Sequence, residues 1–286
     1  MPALRPLAAQ RSALELDGAL AGFLSAVEGG GAVGEVVVEA PNTPAVQAKH
    51  LGAVRYEDIT ITCPAAMSVA FWELLQGALR GEKTSLSGAI VGYDLNLTER
   101  RRMDFKNALI TEITFPKLDA SAKDAALLTV RLTPESTRAI KPSNAKITPP
   151  PPGKQKGFNP ANFRLVIDAV PDSGKTVSKV GALTVTLTPA GVEITDLVVT
   201  VAQSAAEPLE TWHEDFVVAG NQKERSATLD LLAADLKAVL LSLQLSGLGI
   251  YKLAYDRIDG ATDRIVNVAA SMYCEQVTLA TVPGKP

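Results

Sequence analysis

The chain has 286 residues, room for one large domain or two of ordinary size, and 47% hydrophobic with 21% charged residues describes a globular protein. With 28 Lys+Arg against 31 Asp+Glu the net charge is −3, which excludes the broad basic footprint of a nucleic-acid binder. Two cysteines, Cys63 and Cys274, are too few for a disulfide framework. No apolar run approaches the ~20 residues that span a bilayer, and the N-terminus lacks the apolar core of a secretory leader. The expectation is a soluble chain made and folded in the cytosol, without membrane anchoring.

The elements alternate from the start. Residues 12–18 (SALELDG), 34–39 (GEVVVE) and 58–63 (DITITC) carry the period-two pattern of half-buried strands. Residues 64–81 (PAAMSVAFWELLQGALRG) change to helical spacing, with Trp72, Phe71, Leu74, Leu75 and Leu79 forming one apolar stripe. Alternation returns at 89–97 and 102–115, and residues 118–135 read as a polar turn followed by a closing strand. Residues 139–162 break the pattern with four consecutive prolines, Pro149 to Pro152. Proline fixes φ and removes a backbone donor, so this stretch is expected to be an extended linker.

The same order then repeats. Residues 163–169, 182–188 and 196–202 are strand-like, and residues 205–220 form a helix centred on Trp212. Further alternation follows at 227–233 and 238–255, with a final polar turn and strand at 256–273. One helix per half is too few for parallel βαβ units. The fold expected is mainly β: two tandem antiparallel β-sandwich or barrel domains, 1–138 and 163–286, each flanked by one helix and joined by the linker 139–162.

Catalytic equipment is sparse. The two histidines are His50, in an expected loop, and His213, in an expected helix; neither has companions at a zinc-ligand spacing. Residues 29–34 (GGGAVG) satisfy G-x-G-x-x-G, but the residues that follow read as a strand where a dinucleotide site needs a helix. Residues 169–176 (AVPDSGKT) fit a relaxed phosphate loop with Lys175 and Thr176 in the chemical positions, yet strand-like sequence follows here too. Arg100–Arg102 could meet phosphates, although Glu99 and Asp104 flank them at an expected hairpin turn. No catalytic, metal or cofactor residues are assigned.

Several segments in the right order carry a resemblance over residues 12–138. In LELDGALAGFLSAVEGGG the family-like positions are Gly18, Phe23, Ser25 and Val27; GAVRYEDITIT follows at 52–62. The strongest part is MDFKNALITEITFPKLDASAKDAALLTVRL, through Phe105, Asn107, Ala108, Asp119, Ala120 and Ser121. This half resembles the tail-tube protein family of contractile-tailed phages and contractile injection systems. The second half keeps the layout with QLSGLG and RIDGAT in place of the "N-A" and "D-A-S" segments, as a diverged second copy would.

The resemblance implies a structural tube protein of a virion tail or injection particle, and no enzyme. Such domains form six-membered rings that stack around a lumen inside a contracting sheath. Two domains per chain imply a homo-oligomeric ring of three chains with pseudo-sixfold symmetry. Its partners would be itself, sheath and baseplate proteins, with DNA or cargo passing through the lumen. The expected subunit-interface residues are Gly31, Val36, Val38, His50, Tyr56, Leu128 and Val130. Three alternatives stay open: a tube initiator, terminator or baseplate adaptor ring; a nucleotide-dependent enzyme using residues 169–176; and a monomeric β-module that binds carbohydrate or protein.

Overall fold

The computed structural model describes residues 11–39, 47–147, 158–257, 265–281 and 283. The first half begins with β1 (Arg11–Leu16), β2 (Ala19–Leu24) and β3 (Ala26–Gly29), then the hairpin β4 (Ala32–Val38) and β5 (Lys49–Tyr56). β6 (Ile59–Cys63), helix α1 (Val69–Leu79), β7 (Leu86–Tyr93) and β8 (Glu99–Phe115) follow. The half ends with β9 (Leu118–Asp119), β10 (Leu128–Thr133) and β11 (Ser136–Ile140). The second half opens with β12 (Phe163–Ile167), the single turn α2 (Ser173–Thr176) and β13 (Val177–Val180). The hairpin β14 (Leu183–Thr188) and β15 (Gly191–Ile194) leads to β16 (Leu197–Ala202) and α3 (Glu207–His213), which runs into a π turn over Glu214–Val218. β17 (Arg225–Leu232), β18 (Val239–Tyr255) and β19 (Asn267–Thr281) complete the chain.

The fold is mainly β, and its two large sheets share an order. One runs β2-β1-β7-β8-β10-β6-β3, the other β12-β17-β18-β19-β16-β13-β9. Starting from β1 and from β12, six consecutive strands correspond one to one. In each half a hairpin leaves between the last two of these six strands, β3 and β6 or β13 and β16, and a tryptophan helix precedes β7 or β17.

The irregularities correspond as well. Between β7 and β8 the register slips at Leu86/Gly88 and at Gly92/Tyr93; between β17 and β18 it slips at Arg225/Ala227 and Leu231/Leu232. A third slip opposes Arg131/Leu132 of β10 to β8, and its counterpart lies at Ile250/Lys252 of β18. A bulge bends a strand and sharpens its twist, so bulges in matching places give the two sheets matching curvature. At the first slip both halves need a left-handed backbone: Asn107 has φ 49° and Gly247 φ 64°. Asn tolerates this conformation and Gly adopts it freely, so the second half meets the same demand without the "N-A" residues.

Packing follows the alternation. Ile59, Ile61 and Cys63 of β6, and Leu197, Val199 and Val201 of β16, point into the core. Helix α1 is capped by Ser68, whose hydroxyl accepts the Phe71 N–H at 3.2 Å. Trp72 is fully buried, donates its indole N–H to the Ala65 carbonyl, and meets Phe71 and Phe158 edge-on. Trp212 is equally buried beneath the Arg225 guanidinium, 4.4 Å from the ring centre.

Three sequence expectations change. His50 lies in strand β5, since its hairpin continues past the expected loop. The linker boundaries are narrower than 139–162: β11 reaches Ile140, Lys146 bridges to Thr98, and Phe158 bridges to Ala126 and packs on Trp72. The proline run itself lies outside the described residues. Finally, the halves share strands, and one continuous hydrophobic core extends through both.

Candidate assembly surface

The two halves meet edge to edge. β14 of the second half lies antiparallel on β8 of the first, with Leu183 opposite Phe115, Val185 opposite Ile113 and Thr186 opposite Glu112. Val185 and Ile113 are both fully buried, and the Thr114 and Thr184 hydroxyls meet at 3.0 Å. Next to them the short β9 pairs with β13. The Ala120 N–H donates to the Ser178 carbonyl at 2.9 Å, and Lys179 approaches Asp119 at 2.9 Å. Asp119 also accepts the Ser121 N–H and hydroxyl at 2.8 and 2.6 Å. Those Ser121 bonds, with Lys179 behind them, hold the Asp119 carboxyl well below the usual carboxylate range. The "D-A-S" residues thus build a seam between halves.

The β14–β15 tip continues the seam onto α1. An apolar cavity of about 260 Å³ remains there, lined by Leu74, Ala78, Leu109, Leu187, Pro189 and Val192 among others. Gln76 of α1 crosses to the other half and donates to the Leu279 carbonyl at 2.9 Å.

Among the described residues, the corresponding hairpin of the first half, β4–β5, has no such seat. Its root is fixed: the Gly31 N–H donates to the Glu57 carboxylate at 3.2 Å, the Glu57 N–H to the Gly31 carbonyl at 2.9 Å, and the Thr137 hydroxyl to the Gly30 carbonyl at 2.6 Å. Gly29, with φ 81°, permits the turn, because a β-carbon there would fall 1.9 Å from the Asp58 carbonyl oxygen. Beyond the root the strands pair only with each other among the described residues. Val36, Val38, Leu51 and Val54 are 59%, 46%, 75% and 60% exposed. A lone two-stranded ribbon is marginal in water, and exposed apolar edges invite pairing.

Of the expected interface residues, Gly31, Val36, Val38 and His50 lie exposed on this hairpin, and Tyr56 is half-buried at its base. The His50 imidazole faces Glu39 across the strands at 3.3 Å. Leu128 and Val130 do not join them. They are 1% and 0% exposed on β10, whose two edges are taken by β6 and β8, so they serve the chain's own core.

The motifs resembling chemistry resolve into local structure. After Gly29–Gly34 comes strand β4. In residues 169–176 a single helical turn gives way to strand β13; Lys175 binds Asp172 at 2.7 Å, and Ser173 is buried with its hydroxyl accepting the Ile167 N–H. Arg100 pairs with Asp94 at 2.9 Å; Arg102 pairs with Glu15 and Asp104, each at 2.8 Å. Both arginines sit on β8, just past the turn where they were expected.

Sequence reasoning missed the seam itself. Its one legible signal was the "D-A-S" turn, which the resemblance supplied without saying what it touches.

The chain is similar to chains in solved contractile injection particles. Neither a family model nor a curated protein matches it. Among solved structures, about half of this chain (49%) superposes on 95% of a chain in the tube terminating cap of the anti-feeding prophage, at 15% identity and a TM-score of 0.43. The same share covers 98% of a chain in the six-fold symmetrised baseplate of that prophage, at 11% identity and 0.41. A chain in the sheath–tube complex of an extracellular contractile injection system, in the extended state, gives 14% identity, 94% coverage and 0.42.

Proposed function

We propose that this chain is a structural ring protein of the inner tube of a phage tail or contractile injection particle, built from two tail-tube-type domains in tandem. The observation that carries this is the matched architecture: the same six-strand order, with register slips at three matching places, in both halves. The resemblance of the first half through Asn107, Ala108 and Asp119–Ser121 supplies the family. Within one chain, the second domain already docks on the first through β14 and β8, a head-to-tail contact. Repeated contacts of this kind close into rings when the rotation permits.

Three chains would then supply six domains around a lumen, with alternating first and second halves. That alternation gives true threefold and approximate sixfold symmetry, which suits a ring joining threefold to sixfold parts, such as an initiator or baseplate adaptor. Other rings, sheath and baseplate are its partners, and cargo or DNA passes through the lumen. The protein acts through shape and surface, so no catalytic group is assigned. Light scattering on the purified assembly tests this: the expected mass is about three times the 30.1 kDa chain. A monomer at all concentrations contradicts it.

A further inference from the structure

The seam shows what the free hairpin lacks. β8 uses both edges along its C-terminal part: Glu112, Ile113 and Thr114 face β10 on one side and β14 on the other. Its counterpart β18 does not. From Gly249 to Tyr255, β18 pairs with β19 alone among the described residues, and β17 reaches only as far as Leu248. The matching register slips place Lys252 where β8 has Glu112, and Leu253 where it has Ile113. Ile113 is fully buried under Val185, whereas Leu253 is only partly covered and Tyr251, Lys252, Ala254 and Tyr255 are exposed. The Tyr251 and Tyr255 hydroxyls bond Asp196 and Glu210, and α3 and the π turn pack against β18 without pairing with it.

The second half therefore gives the seated hairpin and the first half the occupied edge, and among the described residues the first half is left with a free hairpin and the second with a free edge of the same kinds. We infer that the β4–β5 hairpin of one chain adds to the Lys252–Tyr255 edge of β18 on a second copy, with β4 antiparallel to β18 as β14 is to β8. The contact buries Val36 and Val38, satisfies the open backbone groups of β18, and brings acidic Glu35 toward basic Lys252. It is heterologous, each copy giving its hairpin to one neighbour and receiving another's on the opposite side. This inference rests on the ring-forming reading above and names the contact that closes the ring.

Paired cysteines test it on the full chain. Glu35→Cys with Lys252→Cys places one thiol on each surface, for joining by a short bis-maleimide. The native Cys63 and Cys274 are buried, with thiols pushed up to about 12 and about 11, so they contribute little background. Both substituted positions are exposed, and an unchanged thermal midpoint confirms folding. The expected result is a covalent ladder between chains that ends at the size of the closed oligomer, with each single-cysteine variant joining at least tenfold less. Cross-linking confined within one chain overturns the inference, since the hairpin then reaches its own sheet. Rings in micrographs without interchain products also overturn it while leaving the ring reading intact. Monomers without rings or products overturn both.

Discussion

The hairpins β4–β5 and β14–β15 occupy the same place in the chain's two halves, and their environments are opposite. Val185 of the seated hairpin is 0% exposed, while Val36 and Val38 of the free one are 59% and 46% exposed. Both are rich in β-branched residues, and both leave their sheet between corresponding strands, β3 and β6 or β13 and β16. What separates them is the neighbour. The second half has the first beside it in the same chain, and the hairpin of the first half has no strand beside it among the described residues. Comparable residues thus serve the stability of the chain in one place and, on the inference above, its assembly in the other.

The strongest way to break this comparison is to put the same charge in both hairpins. Val185→Asp buries an unpaired carboxylate between β8 and β15, so it should cost at least about 3 kcal/mol of folding stability, measured by urea unfolding. Val36→Asp with Val38→Asp should leave the unfolding midpoint of the subunit nearly unchanged. It should weaken association about 100-fold, as measured by sedimentation, because each valine loses roughly 1.5 kcal/mol of burial. A large stability loss from the second pair would mean that both hairpins are seated in the monomer.

A smaller effect sharpens the match between β8 and β18. Gly247→Ala forces a β-carbon into a left-handed position, 2.6 Å from Glu275 side-chain atoms, and should cost about 1–2 kcal/mol. Gly247→Asn should cost less, by analogy with Asn107, and Asn107→Gly should change stability by under about 0.5 kcal/mol. Equal losses for Ala and Asn at 247 would separate the two bulges.

The smallest effect is acid sensitivity of the seam. The Asp119 carboxyl is held below its ordinary value of about 3.9 in the folded chain. Its contribution is therefore complete above pH ~4 and is lost as the pH falls from there through the lowered folded value. Urea unfolding at pH 5 and pH 3 should show a loss that is smaller in Asp119→Asn, and an unchanged loss in that variant would assign it to other carboxylates.

Much of this architecture is legible in the sequence, because sheets with one buried face print a period of two and helices print a stripe. Residues 58–63 and 196–202 announced β6 and β16, and the Trp72 and Trp212 helices stand where their spacing puts them. Alternation tells which face is covered but not by what, so Leu128 and Val130 read as a subunit surface although β6 and β8 flank their strand. The same silence hid the seam: a strand such as residues 182–188 looks alike whether its edge pairs within its own domain, across to β8, or with another molecule. The bulges were equally silent, since Asn107 and Gly247 share a backbone angle and no chemistry.

Averaged electron micrographs of the purified assembly, viewed down its axis, test the central account most directly. It predicts a closed ring of six lobes around a hole, alternating in two kinds so that only threefold symmetry is exact to the eye of the average. Six identical lobes, a different number, or isolated particles without a hole would contradict it.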